Sequence, residues 1–202
     1  MHITDPVKGT AAQVVDAQRL LTAAVTETQH QHAVETGGAF NINTGPIALT
    51  GTADSALLYF YNDQPPVNGV SDFVIDAVAV GIGTLSATIT DSALITIIRN
   101  PTGGDIISDA TAVSAKQNAN FGSSTALVST TLVYKGKDGG TITGGNDYAY
   151  FYATGGSRMY AEIDMLLPRG SSFGMKIDLN TSGGGNVYAA IIGHLRDGQV
   201  GL

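Results

Sequence analysis

The chain has 202 residues and a formal net charge of −7, so it lacks the excess of Lys and Arg that binds nucleic-acid phosphates, and we expect no nucleic-acid partner. It contains no Cys, which excludes a disulfide scaffold and thiolate chemistry. Charged residues make up only 13% of the chain, against about 25% in ordinary globular proteins. Because a surface with few charges is easily buried against other chains, we expect an oligomer or a lattice component.

The N-terminal segment, residues 1–37, differs in composition from the rest. Its apolar residues between positions 11 and 31 fit one face of a helix and also fit strand alternation, so periodicity leaves both readings open. We expect an extended arm that contains a strand or a short helix. The first residues have no apolar stretch typical of a signal peptide. The chain has no run of about 18 apolar residues, and we expect no membrane partner.

The remaining segment, residues 38–202, is predicted to form one β body. Its β-prone or alternating runs are each closed by Gly, Pro, Asn or Asp, which is typical of strands separated by turns. In chain order the predicted strands are 40–43, 47–50, 56–61, 73–82, 93–99, 127–135, 148–152, 159–167, 173–179 and 186–195, and residues 106–107 are a candidate for a further short strand. Residues 112–124 lack a core-forming pattern and are predicted to form a long surface loop.

The last three predicted strands show the clearest two-residue alternation, which indicates an antiparallel sheet with one buried face. Eight to ten strands at this spacing, with no long helical pattern between them, predict an all-β fold. We therefore expect an antiparallel β-sandwich, wound as a jelly roll, with the N-terminal arm attached to it.

His30 and His32 are the candidate metal ligands. On a strand, side chains two residues apart point the same way, so both imidazoles could bind one ion. Two histidines are too few for a site in a monomer, although three such pairs could meet around a trimer axis. The alternative is two polar residues on an exposed arm. His2 and His194 have no evident partner in the sequence.

Glu162 and Asp164 are a second candidate pair, again two residues apart on a predicted strand. Two neighbouring carboxylates could perform acid–base chemistry on a glycosidic bond. The residues that alternate with them are apolar and face the core, so the pair marks the outer face of the sheet or an interface. We do not assign it a catalytic role.

The glycine-rich segments carry no recognised chemical motif. Asp138, Asn146 and Asp147 flank one such segment with oxygen ligands that suit Ca²⁺, but their spacing fits no known calcium loop and a hairpin turn explains the glycines equally well. Gly183, Gly184 and Gly185 match neither a P-loop nor a dinucleotide fingerprint. No nucleophile elbow is present. The sequence predicts no enzyme activity and no cofactor.

The chain contains eight Tyr and no Trp. Exposed Tyr beside Asn and Asp can bind sugars, whereas Tyr on an alternating strand is more often half-buried by packing. The tyrosines are Tyr59, Tyr61, Tyr134, Tyr148, Tyr150, Tyr152, Tyr160 and Tyr188.

Several segments of the sequence, taken together, resemble a group of virion structural proteins of tailed bacteriophages. They are AFNINTGPIALTGTADSALLYFYND (39–63), ALITIIRNPTGGDIISDATAV (93–113), QNANFGSS (117–124), YKGKDGGTITGG (134–145) and LLPRGSSFGMKID (166–178). The likeness extends over about residues 19–195. The likeness lies in the order of these segments and includes no catalytic motif. No functional residue can therefore be assigned from it.

The resemblance implies a β-sandwich subunit on a phage particle that assembles in the host cytoplasm. The expected function is a capsid decoration or cement subunit, which binds the major capsid protein or other virion proteins through its arm and body. The alternative is a tail, neck or fibre subunit that binds a receptor or carbohydrate. In either case we expect a homo-oligomer, with a trimer as the favoured assembly.

Overall fold

The protein is described by a computed structural model that covers residues 3–4, 11–12, 14–15, 19–20, 29–51, 53–65, 72–83, 92–180 and 183–196. The N-terminal part begins with four two-residue strands, β1 (Ile3–Thr4), β2 (Ala11–Ala12), β3 (Val14–Val15) and β4 (Arg19–Leu20). β1 pairs with β2 and β3 pairs with β4. Helix α1 (Gln29–Thr36) follows, so the described part of the arm contains strand pairs and a helix.

The body starts at Ala39 and consists mainly of strands. They are β5 (Ala39–Asn43), β6 (Ile47–Leu49), β7 (Ser55–Tyr61), β8 (Phe73–Ile82), β9 (Ala93–Arg99), β10 (Thr111–Ala112), β11 (Ala115–Asn118), β12 (Leu132–Lys135), β13 (Asn146–Ala153), β14 (Arg158–Leu167), β15 (Ser172–Asp178) and β16 (Gly185–Leu195), with helix α2 (Asp105–Ser108) between β9 and β10.

These strands form two antiparallel sheets that face each other. The first sheet has the order β10-β12-β7-β15-β9-β13, and the second has the order β11-β5-β16-β8-β14, with β6 paired to β16. Side chains from the inner faces of both sheets form the main core. Between the sheets, the rings of Phe60 on β7 and Phe73 on β8 lie 4.9 Å apart between centroids. The predicted all-β antiparallel sandwich is confirmed.

Eight of the strands pair as a set of nested hairpins. β5 pairs with β16, β7 with β15, β8 with β14, and β9 with β13. The chain therefore doubles back between β9 and β13. Two further pairings, β16 with β8 and β15 with β9, join these hairpins into the two sheets.

The short strand predicted at residues 106–107 is wrong, because this segment is the single-turn helix α2. The Asp105 carboxylate accepts hydrogen bonds from the Thr141 backbone N–H and hydroxyl at 3.1 and 3.0 Å. These bonds hold the pKa of Asp105 below its usual value. Ile106 is buried in a small second cluster with Ala56 and Tyr59, so tertiary packing overrides the β propensity of isoleucine.

The long loop predicted at residues 112–124 is partly wrong. β11 lies inside it and extends the second sheet by pairing with β5. The rest of the segment is held by side-chain hydrogen bonds: the Asn118 amide donates to the Gly37 carbonyl at 2.6 Å, and the Asn120 amide donates to the Glu35 carbonyl at 3.2 Å. The segment therefore fastens the C-terminal end of α1.

We expect Ile97→Asp to unfold the body. The Ile97 side chain on β9 is fully buried in the main core, and an unpaired carboxylate there costs several kcal/mol. Circular dichroism and thermal unfolding measure the effect, with Ile97→Val as the matched control at a cost of about 0.5–1.5 kcal/mol. Ile163 is only partly buried, so Ile163→Asp should destabilise less. A folded Ile97→Asp protein would contradict this assignment of the inner face.

Candidate functional site

A concavity that contains several titratable side chains lies on the outer face of the second sheet. It has a volume of about 560 Å³ and lies where α1 meets β8, β14 and β16. Its lining combines two histidines, three carboxylates and a tyrosine, namely His30, His194, Asp76, Glu162, Asp164 and Tyr160. Residues from four elements that are far apart in the chain therefore converge on one surface depression.

Helix α1 brings His30 to this surface. Ala33, one turn further along, is 5% exposed and lies on the side of the helix that packs against the body. The helix ends where the Gly38 N–H donates to the Ala33 carbonyl at 2.6 Å and Gly37 adopts a φ of 79°. That left-handed conformation suits glycine and is a common helix terminus.

The predicted strand placement of His30 and His32 is wrong, because both residues lie on α1. Residues two apart on a helix do not face each other, in contrast to residues three or four apart. The structure therefore does not bring His30 and His32 together as a same-face pair. It directs His30 towards β8 and β16.

A local irregularity of the sheet determines the position of Asp76. On one side, β16 pairs Ile192 with Ala77 and Gly193 with Ile75, so Asp76 is left without a partner residue. On the other side, the register of β14 also shifts, between Glu162 and Met165. Such bulges re-aim a side chain and are frequent beside functional sites.

Two residues near Asp76 are subject to backbone constraints. A Cβ atom on Gly193 would lie 2.3 Å from the Val74 carbonyl oxygen and 2.5 Å from a Phe73 ring carbon, so only glycine allows this approach of β16 to β8. Asp164, inside the β14 irregularity, has a φ of 42°. A non-glycine residue in this region carries backbone strain.

The Asp76 carboxylate is bonded to both histidines through one oxygen. His30 Nδ1 lies 2.8 Å and His194 Nδ1 lies 3.0 Å from Asp76 Oδ2. The two rings meet edge to face, with centroids 5.9 Å apart. Because an ionised carboxylate only accepts hydrogen bonds, both Nδ1 atoms donate in this arrangement.

The electrostatics of Asp76 reflect two opposing effects. Burial raises the pKa of this carboxyl group, and the hydrogen bonds and charge of His194 and His30 lower it. The histidines outweigh burial, so the pKa of Asp76 lies below its ordinary value. The carboxylate is therefore held in its charged form on a half-buried part of the sheet.

His194 is the most buried member of the cluster, with 4% of its surface exposed. Its Nε2 atom is buried and has no hydrogen-bond partner in the described part of the chain, a property shared there only with the side-chain nitrogen of Gln64. A buried polar atom without a partner costs about 1–3 kcal/mol. Within the described residues, the His194 ring therefore has a hydrogen-bond partner on Nδ1 alone.

Glu162 and Asp164 lie on the outer face of the second sheet, as the alternation of their strand predicts, and both are exposed. They line the same concavity as Asp76. The sequence places these two carboxylates on one face, but nothing in their local spacing connects them with His30 or His194. Their position adds negative charge to the rim of the concavity.

The candidate calcium residues have protein partners in the structure. The Asp138 carboxylate accepts hydrogen bonds from the Thr50 N–H and hydroxyl, both at 2.8 Å. The Asp147 carboxylate accepts one from the Tyr150 hydroxyl at 2.6 Å. Gly184 serves a close backbone approach, since a Cβ atom there would lie 2.2 Å from the Leu49 carbonyl oxygen.

The tyrosines divide into two groups. Tyr59 and Tyr134 stack with ring centroids 5.9 Å apart, and Tyr61 packs partly buried beside them, as expected for strand tyrosines. The others keep between 40% and 69% of their surface exposed: Tyr148, Tyr150, Tyr152, Tyr160 and Tyr188.

The sequence reasoning missed the association of Asp76 with the two histidines. One signal was available: Asp76 is the only charged residue in the apolar strand β8, FVIDAVAVGI. A charge within a predicted buried strand needs a partner. The identity of that partner depends on α1 and β16, which local patterns do not connect with β8.

None of the helices described by the structure is long and apolar enough to cross a membrane. Comparison of the chain with protein-family models, curated proteins and solved structures finds no match. The resemblance of the sequence segments to phage virion proteins therefore stays a prediction.

We expect Asp76→Ala to lower the free energy of unfolding by about 1–3 kcal/mol, because it removes the acceptor shared by His30 and His194. Chemical denaturation measures the change. Glu162→Ala is the matched control: this exposed carboxylate lines the same concavity, and its loss should change stability by less than about 0.5 kcal/mol. Equal effects of the two substitutions would show that the bonds to Asp76 do not stabilise the fold.

Proposed function

We propose that the protein is a non-enzymatic structural subunit of a tailed-bacteriophage virion, and that it acts as a capsid decoration or cement subunit. The observation that carries the proposal is a row of exposed aromatic side chains on an edge strand of a rigid β-sandwich. The resemblance of the sequence segments to phage virion proteins indicates that this surface would contact a phage particle.

The winding of the chain supports this proposal. Eight strands paired as nested hairpins in two four-stranded arrangements, β5-β16-β8-β14 and β7-β15-β9-β13, have the order that we infer to be a jelly roll. Jelly rolls are frequent in viral capsid and lectin domains. The winding fits a role on a particle surface, and it is also compatible with sugar binding.

The exposed row consists of Tyr148, Tyr150 and Tyr152, which are 53%, 56% and 69% exposed. Tyr150 and Tyr152 share a face of β13, and Tyr148 lies at the irregularity between Asp147 and Ala149. β13 is the last strand of the first sheet, so it presents backbone groups as well as rings to a partner. Tyrosine is enriched among the residues that dominate the energy of protein interfaces. A partner protein could therefore bind along this strand.

Phe121, outside this row, is a further exposed aromatic residue that could contact the particle. Phe121 is 96% exposed and lies in the segment that Asn118 and Asn120 fasten to the end of α1. A fixed backbone reduces the entropy lost when such a residue is buried in an interface. The low content of charged residues, 13%, is consistent with surfaces that are buried on assembly.

The alternative is a tail, neck or fibre subunit that binds a receptor or carbohydrate, with a trimer as the favoured assembly. The feature that favours it is the hydrogen bond of 2.6 Å from the Tyr150 hydroxyl to Asp147 beside the exposed row. Aromatic faces next to polar groups are suited to sugars. In this alternative the same strand would bind the host surface and not the capsid.

The first test is the copy number of the protein in purified virions, measured by quantitative mass spectrometry against the major capsid protein. A number comparable to that of the capsid subunits, or a simple fraction of it such as a third, supports decoration or cement. A few to a few dozen copies would support the neck, tail or fibre alternative. Absence from the particle would overturn both.

We expect the double substitution Tyr150→Ser, Tyr152→Ser to reduce binding to particles that lack the protein by at least about tenfold, because it removes two anchors of the proposed interface. Co-sedimentation of purified protein with such particles measures the effect. Tyr188→Ser is the matched control, since Tyr188 is exposed on the other sheet. Equal binding of the double variant and the unsubstituted protein would exclude β13 as the docking strand.

A further inference from the structure

We propose that His30, Asp76 and His194 form a binding site for one divalent transition-metal ion, for which Zn²⁺ is the best fit, and that the ion fastens α1 to the outer face of the second sheet. This inference concerns a different surface from the aromatic row on β13 and does not depend on a role in a virion.

The chemistry of the side chains selects the ion. Two imidazole nitrogens and one carboxylate oxygen are ligands that Zn²⁺ takes in proteins, with water or a further oxygen completing the site. Mg²⁺ and Ca²⁺ prefer sites made of oxygen atoms alone. Exposed Glu162 and Asp164 line the same concavity, so further oxygen donors and negative charge are present at its rim.

The geometry is close to that of a bound site. One potential ligand atom from each of the three residues lies within 4.8 Å of the others. His30 Nδ1 and His194 Nδ1 are 2.8 and 3.0 Å from Asp76 Oδ2. In tetrahedral geometry, metal–ligand bonds of about 2.0–2.2 Å place neighbouring ligand atoms about 3.3–3.6 Å apart. An outward movement of about 0.5 Å at each histidine therefore makes room for the ion.

The three residues differ in their freedom to make this movement. The His194 and Asp76 side chains are 5% and 23% exposed and lie on neighbouring strands, so the sheet fixes both of them. The His30 side chain is 37% exposed and comes from a short helix. We infer that His194 and Asp76 form the fixed half of the site and that His30 closes it.

The hydrogen bonds inside the cluster converge on one atom. His30 Nδ1 and His194 Nδ1 share the single oxygen Asp76 Oδ2, and a metal ion at this point would bind all three atoms directly. Each imidazole would then bind through Nδ1 and carry its proton on Nε2, the neutral form in which histidine binds metals. The Nε2 atom of His194, which is buried and has no partner within the described residues, would not be a ligand.

The test is isothermal titration of Zn²⁺ into full-length, tag-free protein from which metal has been removed with a chelator. The chain has four His, and all proteins carry His2→Ala so that the N-terminal histidine does not contribute. We expect one Zn²⁺ per chain, no binding of Mg²⁺ under the same conditions, and a blue Co²⁺ complex whose absorption reports nitrogen and oxygen ligation.

Variants decide whether this cluster is the site. His30→Ala and Asp76→Asn should each raise the Kd for Zn²⁺ by at least about tenfold. About tenfold is the smallest effect expected even when the lost residue only supports a metal ligand. His32→Ala, on the same helix, is the matched control and should leave Kd unchanged. Circular dichroism establishes whether each variant is folded. If Asp76→Asn does not fold, the comparison of His30→Ala with His32→Ala tests the proposed site alone.

The proposal is overturned if the parent protein, which carries only His2→Ala, binds no Zn²⁺, or if His30→Ala binds it as tightly as the His32→Ala control. It is also overturned if His32→Ala weakens binding as much as His30→Ala, because the ion would then bind to α1 without the sheet. A result of this kind would leave the virion proposal untouched, since that proposal is tested on β13.

Discussion

The structure depends on the pairing of β16, the last described strand, with β5 and β8 in the second sheet. This pairing joins the two ends of the body and places β16 inside the sheet, where it also pairs with β6. The other nested pairs, β7 with β15 and β8 with β14, follow from the same doubling back of the chain. Since these contacts join residues far apart in sequence, the sandwich gains most of its buried apolar contacts only when both halves of the chain are present.

The same pairing creates the polar cluster. The register of β16 slips opposite Asp76, and Gly193 permits the close approach that places His194 next to it. Helix α1 then adds His30 from outside the sheet. The cluster is therefore a junction of three parts of the fold, the arm, a central strand and the last strand, and any ion bound there would strengthen the attachment of the arm to the body.

The two proposed surfaces lie on different sheets and use different chemistry. The aromatic row belongs to the edge strand β13 of the first sheet, whereas the histidine–carboxylate cluster belongs to the outer face of the second. Aromatic rings give contact area to a protein or sugar partner. Imidazole and carboxylate groups bind ions. A decoration subunit could use the first surface to assemble and the second to keep its arm in place, and the two can be tested separately.

The sequence by itself determined most of the strands, because alternation and turn residues act over a few positions. The predicted strands at 73–82 and 93–99 coincide with β8 and β9, and the strands predicted near the C-terminus agree with β14, β15 and β16 to within one residue. It also indicated that Glu162 and Asp164 face outwards. Only the tertiary structure decided that residues 106–107 are helical, since burial of Ile106 and the bonds between Asp105 and Thr141 outweigh local propensity. It alone placed His30, Asp76 and His194 together, because their meeting depends on a register slip and on helix docking between segments separated by 46 and 118 residues, and no local pattern encodes such contacts.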